Sequence, residues 1–148
     1  MSRLTDEVIS QVTAWKGVES APHRFGGTEF LLAGQEIGHV HDFGLADLVF
    51  SRPLRDALVA EGNALPHHIY PKSTFVSFYV EHEPDVEHAV WLFRVSFLLH
   101  WIVLRRHAER HPTLPTVDVA DEMTRLKLSP ALRTLFDDLL QGRAARHS

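Results

Sequence analysis

Two histidines stand two residues apart in Glu36-Ile37-Gly38-His39-Val40-His41-Asp42, and a carboxylate follows the second directly. The residues between them are those of a β-strand, in which side chains alternate between faces. His39 and His41 are then expected on one face, about 7 Å apart along the chain. Ile37 should share that face, with Gly38, Val40 and Asp42 on the other. Two imidazoles on a stiff strand suit three chemistries: metal ligation, proton transfer near neutral pH, and gripping an acidic substrate.

A metal site would need a third ligand, for which His67, His68, Asp42, Asp47 and His23 are the candidates. No Glu-x-x-His or His-Glu-x-x-His helix motif fixes the choice. Proton transfer needs less, since one carboxylate can set the tautomer of an imidazole through its other nitrogen. Asp42 is on the wrong face of a regular strand to serve His41, an objection that a strand end or bulge at Phe43-Gly44 would remove. Nucleophilic catalysis has little support, because neither Ser73 nor Ser77 sits in an elbow motif. The plainest alternative is that both histidines are half-exposed strand residues with satisfied hydrogen bonds.

The elements that must position this stretch follow from spacing. Leu4, Val8, Ile9, Val12 and Trp15 recur at helical intervals, predicting a helix over Thr5–Trp15 that Gly17 ends. Pro22-His23-Arg24-Phe25-Gly26-Gly27 reads as a loop. Its paired glycines permit close backbone approach or positive φ, and Arg24 could clamp an anion. No Gly-Lys-Ser/Thr follows, so it is not a phosphate loop. Thr28–Ala33 and Gln35–His41 read as a hairpin turning at Ala33-Gly34. Ser51 and Pro53 open a helix that Gly62 closes. Leu65–Tyr70 is expected as a short edge strand, with His68 and Tyr70 on one face and His67 and Ile69 on the other. Phe75–Val80 is the fourth strand. Glu83-Pro84-Asp85 opens a long helix running to about Arg110, followed by a weaker helix over Asp118–Leu128 and a last one from Ser129-Pro130 to Gly142.

The order α, β-β-α-β-β-α, then small helices predicts an α+β domain with a mostly antiparallel four-stranded sheet. The sheet face away from the long helix must be covered by the terminal helices, a partner or a ligand, and a pocket is expected there. One domain spans 1–148: a core of about 18–111, a helical extension over 112–142 and a frayed tail at 143–148. Ala89–Leu104 is apolar nearly all round but shorter than the ~18–20 residues of a membrane span. It reads as a core helix, with one face available to a homodimer interface.

Composition narrows the function. A net charge of −4 argues against a nucleic-acid binder, which should be basic. The absence of cysteine removes disulfides, thiolate nucleophiles and Cys-ligated metals, and fits a cytoplasmic setting. No apolar signal core stands at the N-terminus, and no membrane association is expected.

Several blocks together resemble a bacterial family labelled luciferase domain, grouped with the fungal luciferases. They are Pro22–Gly27, Glu36–His41, Ala46-Asp47-Leu48, Pro66-His67-His68 and the strand and helix from Val76 through Phe97. The fungal pattern Glu-Ile-x-His-x-His-Asp matches Glu36, Ile37, His39, His41 and Asp42, and a later fungal histidine best matches His67. The resemblance implies an oxidoreductase that oxygenates a hydroxylated pyrone or aromatic with O2, without cofactor or metal. The route it implies is an endoperoxide that loses carbon dioxide. It implies base and donor roles for His39, His41 and His67, an enolate-holding role for Arg24, and substrate contacts from Asp42, His68 and Tyr70. Bacteria bearing the domain are not generally luminous, so the resemblance carries pocket and oxygen chemistry ahead of light emission. The alternatives left open are a His-x-His metal enzyme and a non-catalytic binding or oligomerising module.

Overall fold

The computed structural model describes residues 3–24 and 26–142. Phe25 of the glycine-rich loop and the expected tail at 143–148 lie outside the described residues. Six strands, all paired antiparallel, form one sheet: β1 (Val18–Pro22), β2 (Thr28–Leu32), β3 (Gln35–Val40), β4 (Leu45–Val49), β5 (Leu65–Pro66) and β6 (Phe75–Tyr79), in the order β1-β2-β3-β4-β6-β5. Among the described residues five α-helices accompany it: α1 (Arg3–Thr13), α2 (Arg52–Ala60), α3 (Glu83–Arg105), α4 (Val119–Arg125) and α5 (Pro130–Leu140). The architecture is α+β, as the element order predicts, with six strands in place of four.

The two added strands were hard to read for different reasons. β1 carries Glu19, Ser20 and a terminal Pro22, a weak pattern that an edge strand tolerates because one side of its ladder is unpaired. β4 is central and buried on both faces, so Leu45-Ala46-Asp47-Leu48 shows no clean alternation. The expected strand over Leu65–Tyr70 shrinks to Leu65–Pro66. Beyond it His67 Nδ1 accepts the backbone N–H of Ile69 and of Tyr70, which folds the chain into a turn instead. The long helix stops at Arg105, and a single 3-10 turn at Ala108–Arg110 completes the span expected to be helical.

The β2–β3 hairpin turns through Ala33 and Gly34, both at positive φ, the conformation whose twist matches paired strands. Further along, Phe30 opposes Gly38 while Leu31 opposes Glu36, so Ile37 is an extra residue in β3, a β-bulge. The bulge corrects the simple alternation. Ile37 does not share the histidine face; it is fully buried in the core. Gly38 (φ +154°) sits where a Cβ would lie 2.8 Å from the Phe93 ring, so close packing of α3 on the bulge requires glycine. Ser96 of α3, also fully buried, donates its hydroxyl to the Ile37 carbonyl at 2.7 Å and ties the helix to the bulged backbone.

Helix α3 is long and apolar enough to cross a membrane by length and composition, but most of it is buried inside the domain. Val95, Phe93, Leu92, Leu98 and Phe97 enter one continuous core with Val8 and Val12 of α1, Leu54 and Leu58 of α2, Phe136 of α5 and the inward residues of the sheet. Its all-round apolarity is therefore accounted for within the chain, by the sheet on one side and α1 and α5 on others. The terminal helices pack here rather than across the opposite face of the sheet. That opposite face is left to His39 and the side chains gathered around it.

Candidate active site

On the face of the sheet away from α3, β3 presents Glu36 and His39, β4 presents Asp47, and β6 presents Phe75 and Ser77. His41 follows β3 directly, at the start of the turn into β4. Asp47 pairs across the ladder with His39 on one side and Ser77 on the other. The turn after β5 adds His67, His68, Ile69 and Tyr70, and the loop before β2 adds His23 and Arg24. Together with Ser73, and with Ser77 buried behind them, these residues line a cavity of about 500 Å³. Gly27 allows the loop to close on the sheet: a Cβ there would collide with the Val40 carbonyl.

Asp47 is the hub. It is fully buried, and its Oδ2 lies 2.9 Å from His41 Nε2 and 3.3 Å from His39 Nε2. Its Oδ1 accepts the Ser77 hydroxyl at 2.6 Å and lies 3.3 Å from His68 Nδ1 and 3.6 Å from His67 Nε2. Four imidazoles thus converge on one carboxylate. Burial alone would raise the Asp47 pKa, but the hydrogen bonds from His39, Ser77 and His41 outweigh it and hold the carboxyl well below its usual range.

A second carboxylate reaches the group because of the bulge. The extra residue at Ile37 brings Glu36 onto the histidine face, where Oε2 accepts from His39 Nδ1 at 2.8 Å. Desolvation works against a charged His39, yet its hydrogen bonds to Asp47 and Glu36 prevail and raise its pKa to about 9. His39 is therefore an imidazolium at neutral pH. His23 stacks on it at 3.9 Å between ring centres, and burial lowers the His23 pKa.

The hydrogen bonds fix which nitrogens keep a lone pair. His67 Nδ1 accepts two backbone N–H groups, so its proton stays on Nε2, toward Asp47. Burial lowers the His67 pKa, which makes it a neutral donor. Ser77 gives its hydroxyl proton to Asp47 and accepts from the His68 backbone N–H and from His68 Nδ1, which leaves the lone pair of His68 on Nε2. His41 donates from Nε2 to Asp47, which leaves its lone pair on Nδ1. His41 Nδ1 and His68 Nε2 are thus the nitrogens of these rings turned away from Asp47 and Ser77.

Of the residues singled out by sequence, Arg24, His39, His41, His67, His68 and Tyr70 all line the cavity. Asp42 does not: it sits exposed in the turn between β3 and β4, where His41 N–H bonds the Leu45 carbonyl and Gly44 N–H the His41 carbonyl. The carboxylate that serves His41 is Asp47, six residues on. His67 and His68, expected on opposite faces of a strand, meet in one turn with their rings 4.4 Å apart. Asp47 and His23, named as possible third metal ligands, line the cavity too, while Glu36 and Ser77 are the site residues that the strand-face argument did not reach.

The charge state of His39 makes a stability prediction. Its folded pKa of about 9 lies above the ordinary 6.5, so its contribution is complete below pH 6.5 and disappears as pH rises through 9. The loss is at most about 3 kcal/mol. Urea midpoints should fall between pH 6.5 and 10 in the native chain and fall much less in His39→Gln.

A small α+β domain with a cleft of histidines around a buried aspartate defines the class. The sequence adds a likeness to a known family: residues 34–96 match the family model described as Luciferase domain. The match contains Glu36, His39, His41, Asp47, His67, His68 and Ser77, and stops short of His23 and Arg24 on the N-terminal side. No curated protein and no solved structure matches the chain.

Proposed function

We propose that the chain is a luciferase-like oxygenase that acts without a cofactor on a small, hydroxylated pyrone or aromatic substrate, with a histidine as general base. The observation that carries this reading is the convergence of His39, His41, His67 and His68 on Asp47 within a cavity of small-molecule size. The luciferase-domain match and the resemblance to the fungal enzymes supply the reaction class.

In this reading His41 Nδ1 removes the proton of an acidic enol or phenol. Asp47 holds the ring in the right tautomer and stabilises the imidazolium that forms. His68, anchored through Ser77, is the alternative base. The cationic His39 and Arg24 stabilise the substrate anion, which is electron-rich enough to react with O2 without help. Both oxygen atoms enter the substrate as an endoperoxide, and loss of carbon dioxide follows. The oxidant is O2 and the reductant is the substrate, so no outside electron donor is needed. Exposed Tyr70, stacked over His67, and Ile69 form the apolar lip of the cleft. The cluster satisfies itself: among the described residues the one buried side-chain polar atom lacking a hydrogen-bond partner is Arg55 Nε, outside the cavity.

The test is oxygen uptake, with photon counting in the same cuvette, when a 3-hydroxy styryl-pyrone is added to chelator-treated protein. Stoichiometric uptake is expected, with or without light. No uptake across a panel of hydroxylated pyrones and phenols would leave the fold and strip the site of this chemistry.

A further inference from the structure

We infer that the same cluster is also a binding site for one late first-row divalent cation of the Zn2+ type, held by Nε2 of His39, Nε2 of His41 and Oδ2 of Asp47. The three atoms lie within 4.8 Å of one another, with 2.9 Å and 3.3 Å separating the aspartate oxygen from the two nitrogens. Ligand atoms at about 2.0–2.1 Å from a tetrahedral ion are separated by about 3.4 Å, so small adjustments seat the ion. Two imidazoles and a carboxylate form a donor set that zinc and its neighbours favour, with the fourth position open to water.

What singles out this trio is its outer support. His39 donates its other ring nitrogen, Nδ1, to Glu36 at 2.8 Å. A carboxylate behind a ligating histidine fixes the ring and makes the ligating nitrogen a better donor. Two other groups of potential ligands fit an ion less well. In the group of Asp47, His67 and His68, the Nε2 of His67 carries its proton, because Nδ1 is taken by two backbone N–H groups. In the group of His23, Glu36 and His39, the two rings stack at 16° with centres 3.9 Å apart, so their in-plane lone pairs do not converge on one ion.

The consequence for the reaction rests on the proposed function. In the metal-free site His41 presents Nε2–H to Asp47 and keeps its lone pair on Nδ1. An ion on Nε2 forces the ring proton to Nδ1 and removes the base. Metal-bound and active forms therefore exclude each other, and the ion is an inhibitor.

Chelator-stripped full chain is titrated with Co2+, followed by its visible absorption bands, and Zn2+ affinity is read by competition. One ion per chain is expected, with the intense bands of a four-coordinate site. His41→Ala should bind at least about 100-fold more weakly and Glu36→Gln about 10–100-fold more weakly. His107→Ala, remote from the site, should leave affinity unchanged. Glu36 is partly exposed, so its variant keeps the test alive should His41→Ala fold poorly. Absence of stoichiometric binding, or affinity in Glu36→Gln and His41→Ala unchanged from the native chain, overturns the site. Oxygen uptake is measured separately. Turnover that Zn2+ abolishes supports both readings, and binding without any turnover sinks the base mechanism while the metal site stands. Turnover that requires the ion overturns the inhibitory role and the cofactor-free reading together.

Discussion

Asp47→Asn is expected to lower kcat/KM by about 10³–10⁴-fold, the scale seen when a carboxylate that fixes a catalytic imidazole becomes an amide. The aspartate accepts a hydroxyl proton on Oδ1 and an imidazole proton on Oδ2. Asparagine offers one acceptor and turns its NH2 toward the other donor. If the amide faces His41, the ring must accept through Nε2 and carry its proton on Nδ1, so the lone pair that takes the substrate proton is gone. The same change removes the counter-charge of a buried imidazolium, at a cost of about 3 kcal/mol in stability. Chemical denaturation and steady-state oxygen uptake on the same preparation separate the two effects. A variant that loses the stability and keeps the rate would show that Asp47 is structural only.

His41→Ala should be nearly as damaging to rate and far milder to the fold. Loss of a positioned general base typically costs about 10²–10⁴-fold. Asp47 keeps its bonds to Ser77 and its neighbours His39 and His68, so the loss in stability should be near 1–3 kcal/mol, roughly that of a hydrogen bond to a charged group. Added imidazole should restore part of the activity in this variant and none in Asp47→Asn, where the base is present in the wrong tautomer. The comparison with His68→Ala assigns the base. If His68→Ala is the dead variant and His41→Ala turns over, the proton leaves through the Ser77-anchored ring instead.

The part of this site visible in the sequence was the part that depends on local spacing. His39-x-His41 puts two rings on one side of the sheet, and that held even at the end of β3. The hairpin at Ala33-Gly34 and the helix starts at Ser51-Arg52-Pro53 and Ser129-Pro130 were legible because single residues dictate them. Asp47 was named among five possible third metal ligands, but its place as the hub escaped for the reason β4 escaped: a strand buried on both faces has no polar face to announce it, and its aspartate stands among Leu45, Ala46, Leu48 and Val49. Glu36 was displaced by one extra residue, which reverses every face assignment before it in the strand. Gly38 was the available signal, since a glycine inside a strand pattern marks a bulge or a close backbone approach. His67 and His68 were separated by assuming a strand, where a histidine accepting two backbone N–H groups had made a turn. In each case the missing information was register or long-range pairing, which no local pattern contains.

The proposed chemistry depends on one arrangement: Asp47 holding Nε2–H of His41 so that Nδ1 keeps a lone pair. The direct measurement is the ¹⁵N spectrum of the histidine side chains in chelator-treated protein near pH 7, with His41 assigned by its loss in His41→Ala. The expected spectrum has the His41 proton on Nε2, toward Asp47, a doubly protonated His39, and a His41 signal that changes tautomer in Asp47→Asn. A His41 ring with its proton on Nδ1 and its lone pair toward Asp47 would contradict this arrangement and leave the site without the base that the proposed chemistry requires.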